Sequence, residues 1–175
     1  SLERLSGLPV FVQKDASSAC GAELLFGSGE RPRDFLYFYF GTFIGGGLVM
    51  GGQLYLGPTG NAAGVGSMPI PGETGGVRSL IEAASMQKLA RMMLAEGESS
   101  DHLWEQAEEW RVSQPVLSAW MDEAAAGLAW ATLSAAALLE LSTVVIDGWM
   151  PPNIRAEIVE RTRRALHGLD LSGIE

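Results

Sequence analysis

The chain has 175 residues, 47% of them hydrophobic and 19% charged, a balance that provides for one domain with a sizeable core and argues against disorder. Twelve basic against twenty-one acidic side chains give a formal charge of -9, a field that repels phosphate backbones, so this chain alone is not expected to bind nucleic acid. The single cysteine, Cys20, excludes an internal disulfide and a cysteine-rich zinc cluster and points to a reducing, cytoplasmic setting.

Residues 1–7 carry Glu3 and Arg4 with little hydrophobicity and do not read as a secretory leader. Residues 8–12 are a short apolar run, read as a strand that stops at Gln13, Lys14 and Asp15; residues 16–26, rich in alanine and leucine, read as a helix. Phe35–Phe40 (FLYFYF) is apolar at both alternating sets of positions, as in a strand covered on both faces, and it leads into the glycine-rich residues 41–47. Residues 48–50 and 53–56 flank Gly51 and Gly52, which permit the positive φ of a two-residue hairpin turn. Glycine and proline crowd residues 57–76, so this segment is expected to be a shaped binding loop.

Helices are expected over residues 77–95, 101–111 and 114–140, the last with Pro115 in its first turn, and over residues 151–166 behind a proline pair. Between the last two, residues 143–146 read as a β-branched strand. Residues 124–139 are the one membrane-like stretch, but alanine dominates it and Asp122, Glu123 and Glu140 flank it, which favours a buried helix in a soluble domain. Residues 167–175 read as a loop heading toward a further element, and both ends are expected to be cuts in a longer protein. Strand, helix, glycine-rich hairpin, helices, strand and helix make a mixed α/β order.

Glycines at 41, 45, 46 and 47 after a buried strand permit several backbone amides to face one anion, and they equally suit a hairpin that merely turns. The run lacks the Gly-Lys-Ser/Thr ending of a phosphate loop and the immediate helix of a dinucleotide fingerprint. Asp15 fits two roles, a general base and an N-cap for the amides of residues 16–19.

Taken as a whole, Gly41-Thr42-Phe43-Ile44-Gly45-Gly46-Gly47, then Gly51-Gly52-Gln53-Leu54-Tyr55-Leu56-Gly57, then Gly60-Asn61-Ala62-Ala63-Gly64-Val65-Gly66-Ser67-Met68 resemble the signature of the ROK family of sugar kinases and sugar-responsive repressors. Residues 15–23 (DASSACGAE) are similar to the family segment bearing its catalytic aspartate, which falls on Asp15. Val144–Gly148 is similar to the strand and turn that close over the adenosine of ATP. The resemblance implies an α/β, ribonuclease H-like lobe of the actin-like ATPase fold, with a mixed sheet and several helices. Residues 1–175 would form the single C-terminal lobe, with the other lobe and any helix-turn-helix domain outside the chain. It implies a sugar or sugar derivative held by Lys14, Asp15, Gly60, Asn61, Gly64 and Ser67. In a kinase it further implies ATP and magnesium at Gly41, Thr42, Gly45, Gly46, Gly47, Asp147 and Gly148, with Asp15 as base.

Departures from the family pattern shift the expectation toward sensing. Lys14 stands for the family's asparagine, Gly64 for its glutamate and Ser67 for its histidine, and each lost polar contact costs about 1–3 kcal/mol. Phe43 replaces a glycine, where it either crowds a nucleotide or fills core. Asp147 replaces the first glycine of the adenosine turn, where it either adds charge near ATP or caps the following helix. No cysteine occurs in residues 68–79, so the family's zinc site is not expected there, and His102 and His167 read as isolated surface residues. Trp104, Trp110, Trp120, Trp130 and Trp149 read as packing or dimer contacts ahead of sugar stacking. The expectation is a cytoplasmic, homodimeric sugar-sensing lobe of a transcriptional regulator, without kinase activity, cofactor or membrane contact, reaching DNA only through an upstream domain. An ATP-dependent sugar kinase and a dimerisation module with a vestigial site are the alternatives.

Overall fold

A computed structural model describes residues 1–27, 32–72 and 74–174; Glu73 of the expected binding loop and Glu175 of the expected C-terminal loop lie outside them. Alternation along β1 (Phe35–Phe40) sends Leu36, Phe38 and Phe40 into one core and Phe35 and Tyr37 into another, as a strand covered on both faces requires. β1 pairs antiparallel with β2 (Ile44–Met50), which pairs antiparallel with β3 (Gln53–Leu54). Gly51 and Gly52, at φ 60 and 76, make the expected two-residue turn between them. On its other edge β1 pairs in parallel with β6 (Val144–Gly148), completing a mixed sheet in the order β3-β2-β1-β6. A parallel pair needs a long crossover, and the helices supply it.

Helix α2 (Asp15–Phe26) covers one face of the sheet. It lies directly on the backbone of β2: a Cβ added at Gly45 would come within 2.7 Å of the Ala16 methyl, and one at Gly47 within 2.6 Å of the Cys20 sulfur. These glycines are thus explained locally by helix-on-strand approach. Cys20 is fully buried, and burial, followed by the charge of Glu23, pushes its thiol up to about 12, so it is inert as a nucleophile near neutrality.

The opposite face carries the larger core, built by α3 (Leu80–Ala83), α4 (Met86–Ala95), α6 (Gln114–Leu139) and α7 (Pro152–His167). Trp120 of α6 is its centre, edge-on to Phe40 and Trp110 at 5.8 and 6.1 Å, with its indole N–H donating to the Ser85 carbonyl at 3.1 Å. Pro115 sits in the first turn of α6 as expected, and small residues let neighbours close in, Gly127 facing Leu80 and Ile70. Among the described residues no helix is long and apolar enough to cross a membrane. α7 is tied to α6 by Arg161, which donates to the Ser118 carbonyl and to Asp122, and to Glu157 of its own helix. The bond to Glu157 holds the Arg161 guanidinium above its ordinary value and lowers the Glu157 carboxyl in return.

Three sequence expectations are corrected. Residues 8–12 form no strand: the chain opens with helix α1 (Leu2–Ser6), closed by Gly7 at φ 67, and continues without regular structure, Phe11 and Val12 exposed. Apolar character alone does not supply a pairing partner, and the sheet's places are taken by β3 and β6. The helix expected over residues 77–95 is instead β5 (Val77–Ser79), paired with β4 (Pro69–Pro71), followed by α3 and α4. Ser79 forms a capping box with Glu82, and the Ser85 hydroxyl accepts from the Lys88 amide, so two N-caps start two helices. The helix expected over residues 101–111 is the single turn α5 (His102–Glu105). A ring nitrogen of His102 and the Arg111 carbonyl lie 2.9 Å apart, whereas a continuous helix would separate these positions by roughly 13 Å.

Candidate functional site

Asp15 is the first residue of α2, with Lys14 in the N-cap position. The expected N-cap role at Asp15 is corrected accordingly: among the described residues its carboxylate accepts the neighbouring Ala16 amide alone, at 2.7 Å, and its side chain stays exposed in the lining of two clefts.

The first cleft, about 210 Å³, brings together Lys14, Asp15, Asn61, Gly64 and Ser67 of the expected ligand set. Gly45 and Gly46 form part of its wall, and Ile44, Val65 and Ile81 give it an apolar lining. Gly60 falls outside the lining and serves the loop's turn at φ 74. Lys14 is not aimed at a ligand: its ammonium donates to the Ala62 carbonyl at 2.7 Å, linking the start of α2 to a loop 48 residues away. The next residue, Ala63, holds φ 53, a left-handed conformation that costs an L-residue about 1–2 kcal/mol. The clamp offsets that strain. Lys14→Met should release the loop, since a hydrogen bond from a charged donor contributes roughly 1.5–3 kcal/mol. Amide hydrogen exchange over residues 60–64 checks this, and unchanged protection would mean that the loop holds its shape unaided.

The second cleft, about 260 Å³, is lined by Asp15, Tyr39, Gly41, Thr42, Met86, Trp104 and Trp149. The Trp104 indole N–H donates to the Thr42 hydroxyl oxygen at 3.2 Å, and that of Trp149 to the Leu103 carbonyl at 3.1 Å. The Thr42 carbonyl accepts from the Gln87 amide at the start of α4, at 3.1 Å. Burial first, then the charges of Asp15 and Asp147, raise the Tyr39 phenol above its ordinary value. Phe43 lines neither cleft and is half exposed, so the reading of it as core filler is corrected.

Asp147 is not the expected helix cap, since Pro151 occupies the N-cap position of α7. Instead it pairs with Arg155 and accepts from the Tyr37 hydroxyl at 2.9 Å. The charge expected beside a nucleotide is thereby paired inside the protein. Burial, and next that bond, push the Tyr37 phenol far above its usual range. Gly148 stands at φ 142 against the backbone of Phe40, where any Cβ would collide with the neighbouring strand. Gly45, Gly46 and Gly47 belong to β2 and not to a loop. Among the described residues no group of three or more His, Cys, Asp or Glu side chains is placed to hold a metal ion.

Sequence reasoning missed the meeting of Trp104, Trp149, Tyr39 and Met86. The four come from α5, the turn after β6, β1 and α4, and no local spacing joins them.

The sequence model of the ROK family matches residues 1–155. The bifunctional enzyme NanE/NanK of Brucella melitensis is 39% identical over 95 residues, covering 54% of this chain and 18% of that protein. A glucokinase of Streptomyces coelicolor is 40% identical over 62 residues, covering 35% and 20%. A ROK family glucokinase from Streptomyces griseus, solved in complex with glucose and AMPPNP, superimposes with a TM-score of 0.73 at 25% identity over 99% of this chain and 62% of its own. A ROK family transcriptional regulator, a homologue of the E. coli MLC protein, superimposes at 0.66 with 18% identity over 95% and 46%, a likeness of fold. The chain spans less than two thirds of each of these proteins.

Proposed function

From the premise that the chain belongs to the ROK family, we propose that it is the C-terminal, sugar-binding lobe of a two-lobed regulator that senses its ligand without phosphorylating it. Its mixed α/β architecture is that of the actin-like ATPase fold of ROK sugar kinases. The first cleft is the proposed ligand site. Asp15 offers acceptors, Asn61 both donors and acceptors and Ser67 a hydroxyl, while Ile44, Val65 and Ile81 offer apolar contact, the mixture a sugar ring presents in return.

The observation that carries the sensor reading is the second cleft. Among the described residues that line it no side chain is cationic, so phosphates entering it would find no partner for their charge. The residues present therefore fit ATP poorly. In a sensor the sugar acts only as far as it binds two lobe arrangements unequally. DNA contact through another part of the protein, and a homodimer, complete the proposal.

The test is titration of the full-length protein with a panel of hexoses and N-acetylated hexoses, alongside an ATP-turnover assay with magnesium. The expected result is saturable sugar binding without ATP consumption. Magnesium-dependent turnover that disappears in Asp15→Asn would overturn it.

One observation favours the second reading, a sugar kinase: Asp15 borders both clefts, as a base between an acceptor hydroxyl and a phosphoryl donor must. That reading expects a turnover loss of about a hundredfold or more in Asp15→Asn.

A further inference from the structure

We propose that the second cleft, which rests on the sensor reading for its being closed to nucleotide, is a binding site for a small organic ammonium group, such as an alkylated or protonated amine carried by a ligand or effector.

Three aromatic residues, Tyr39, Trp104 and Trp149, line it together with the Met86 thioether. Both indole N–H groups are bonded to protein oxygens, yet Trp104 and Trp149 remain 40% and 42% exposed. What they offer a ligand is therefore ring carbon and not a polar edge. Such rings present negative π-density to a cation. Among the described residues of the lining the charged side chain is Asp15, exposed and able to serve as counter-ion. Arg155 is engaged with Asp147 and does not enter the lining.

Each ligand class meets this surface differently. An anion finds no cationic partner. A bare metal ion would have to give up its water for one carboxylate and at most the Thr42 and Tyr39 hydroxyls, short of the oxygen cage it needs. A neutral polyol loses water from its hydroxyls and meets only the Thr42 and Tyr39 hydroxyls and Asp15. A bulky, weakly hydrated ammonium group gains from both the rings and the carboxylate.

Tetramethylammonium chloride is the probe, titrated into the full-length protein by calorimetry at constant ionic strength, with sodium chloride and glucose as controls and magnesium ATP in parallel. Saturable binding of the ammonium ion is expected, weakened at least tenfold in both Trp104→Leu and Asp15→Asn, with no saturation by sodium. The second variant changes only an exposed side chain and remains informative should the first fail to fold. No saturation by tetramethylammonium, or an affinity within threefold of the parent in either folded variant, overturns the proposal. Absence of ammonium binding without ATP turnover sinks this inference alone. ATP turnover with ammonium binding retained and not competed by ATP sinks the sensor reading alone, and ATP turnover with ammonium binding absent or competed by ATP sinks both.

Discussion

Replacing Trp120 with alanine is expected to cost about 3–5 kcal/mol of folding stability, the range for emptying the space of a large aromatic in a tight core. The side chain is fully buried, and it contacts Phe40 from the sheet and Trp110 from the segment that follows α5. Its N–H also ties α6 to the Ser85 carbonyl at the N-cap of α4. One residue therefore joins the sheet, α4, α6 and the segment after α5, and its loss frees surfaces that cannot collapse onto one another without moving whole elements. Since domains of this size are stable by only about 5–15 kcal/mol, the variant should approach the unfolding threshold at physiological temperature. Trp120→Phe keeps most of the ring contact and removes the hydrogen bond, so it should cost about 1–3 kcal/mol. Guanidinium denaturation of the three proteins checks the order. Equal midpoints for the parent and Trp120→Ala would place the centre of the core elsewhere.

The second large effect is expected at Gly47. A methyl there would overlap the Cβ of Cys20 and lie 2.6 Å from its sulfur. Gly47 is held in the ladder opposite Tyr37, so the strain falls on α2, which must lift off the sheet. Overpacking of this kind costs about 1–3 kcal/mol. Asp15 opens the same helix, so lifting it displaces the carboxylate shared by the two clefts. If the first cleft holds the proposed sugar, this displacement is expected to weaken its binding by about tenfold or more, because reacting and binding groups tolerate little misplacement. Adding Cys20→Gly removes the colliding atoms for about 1 kcal/mol of helix propensity, and the double variant should be more stable than Gly47→Ala alone. Strict additivity of the two stability changes would rule out the contact as the cause.

These two positions also mark how far the sequence could be read. FLYFYF announced a strand buried on both faces because both alternating sets are apolar, and each set has its own core. The Gly51-Gly52 turn and Pro115 were legible because backbone dihedrals are local properties. The fate of residues 8–12 was not, since pairing depends on which segments the tertiary fold brings to the sheet, and its places are taken by β3 and β6. The starts of α3 and α4 were carried by Ser79 and Ser85, signals outweighed by an apolar periodicity that ran across them. At the site, Lys14, Asp15, Asn61, Gly64 and Ser67 stand in one cleft, but Lys14 directs its charge at a carbonyl, a use that side-chain chemistry alone does not reveal. The aromatic lining of the second cleft was hidden because it is assembled across the crossover between β1 and β6.

That crossover also sets the timetable of folding. Tyr37 and Asp147 meet at the seam between β1 and β6 although 110 residues separate them in the chain. During synthesis the β1-β2-β3 hairpin can form early, while the other edge of FLYFYF waits for α6 and β6 to emerge from the ribosome. A strand of bulky aromatics with an open ladder is a template for pairing with other chains. Ring closure over so long a span is slow, so the nascent protein passes through a period in which an adhesive edge is uncovered. Docking of β6 is thereby set in competition with aggregation, and chaperone supply is expected to raise yield more than added native-state stability does.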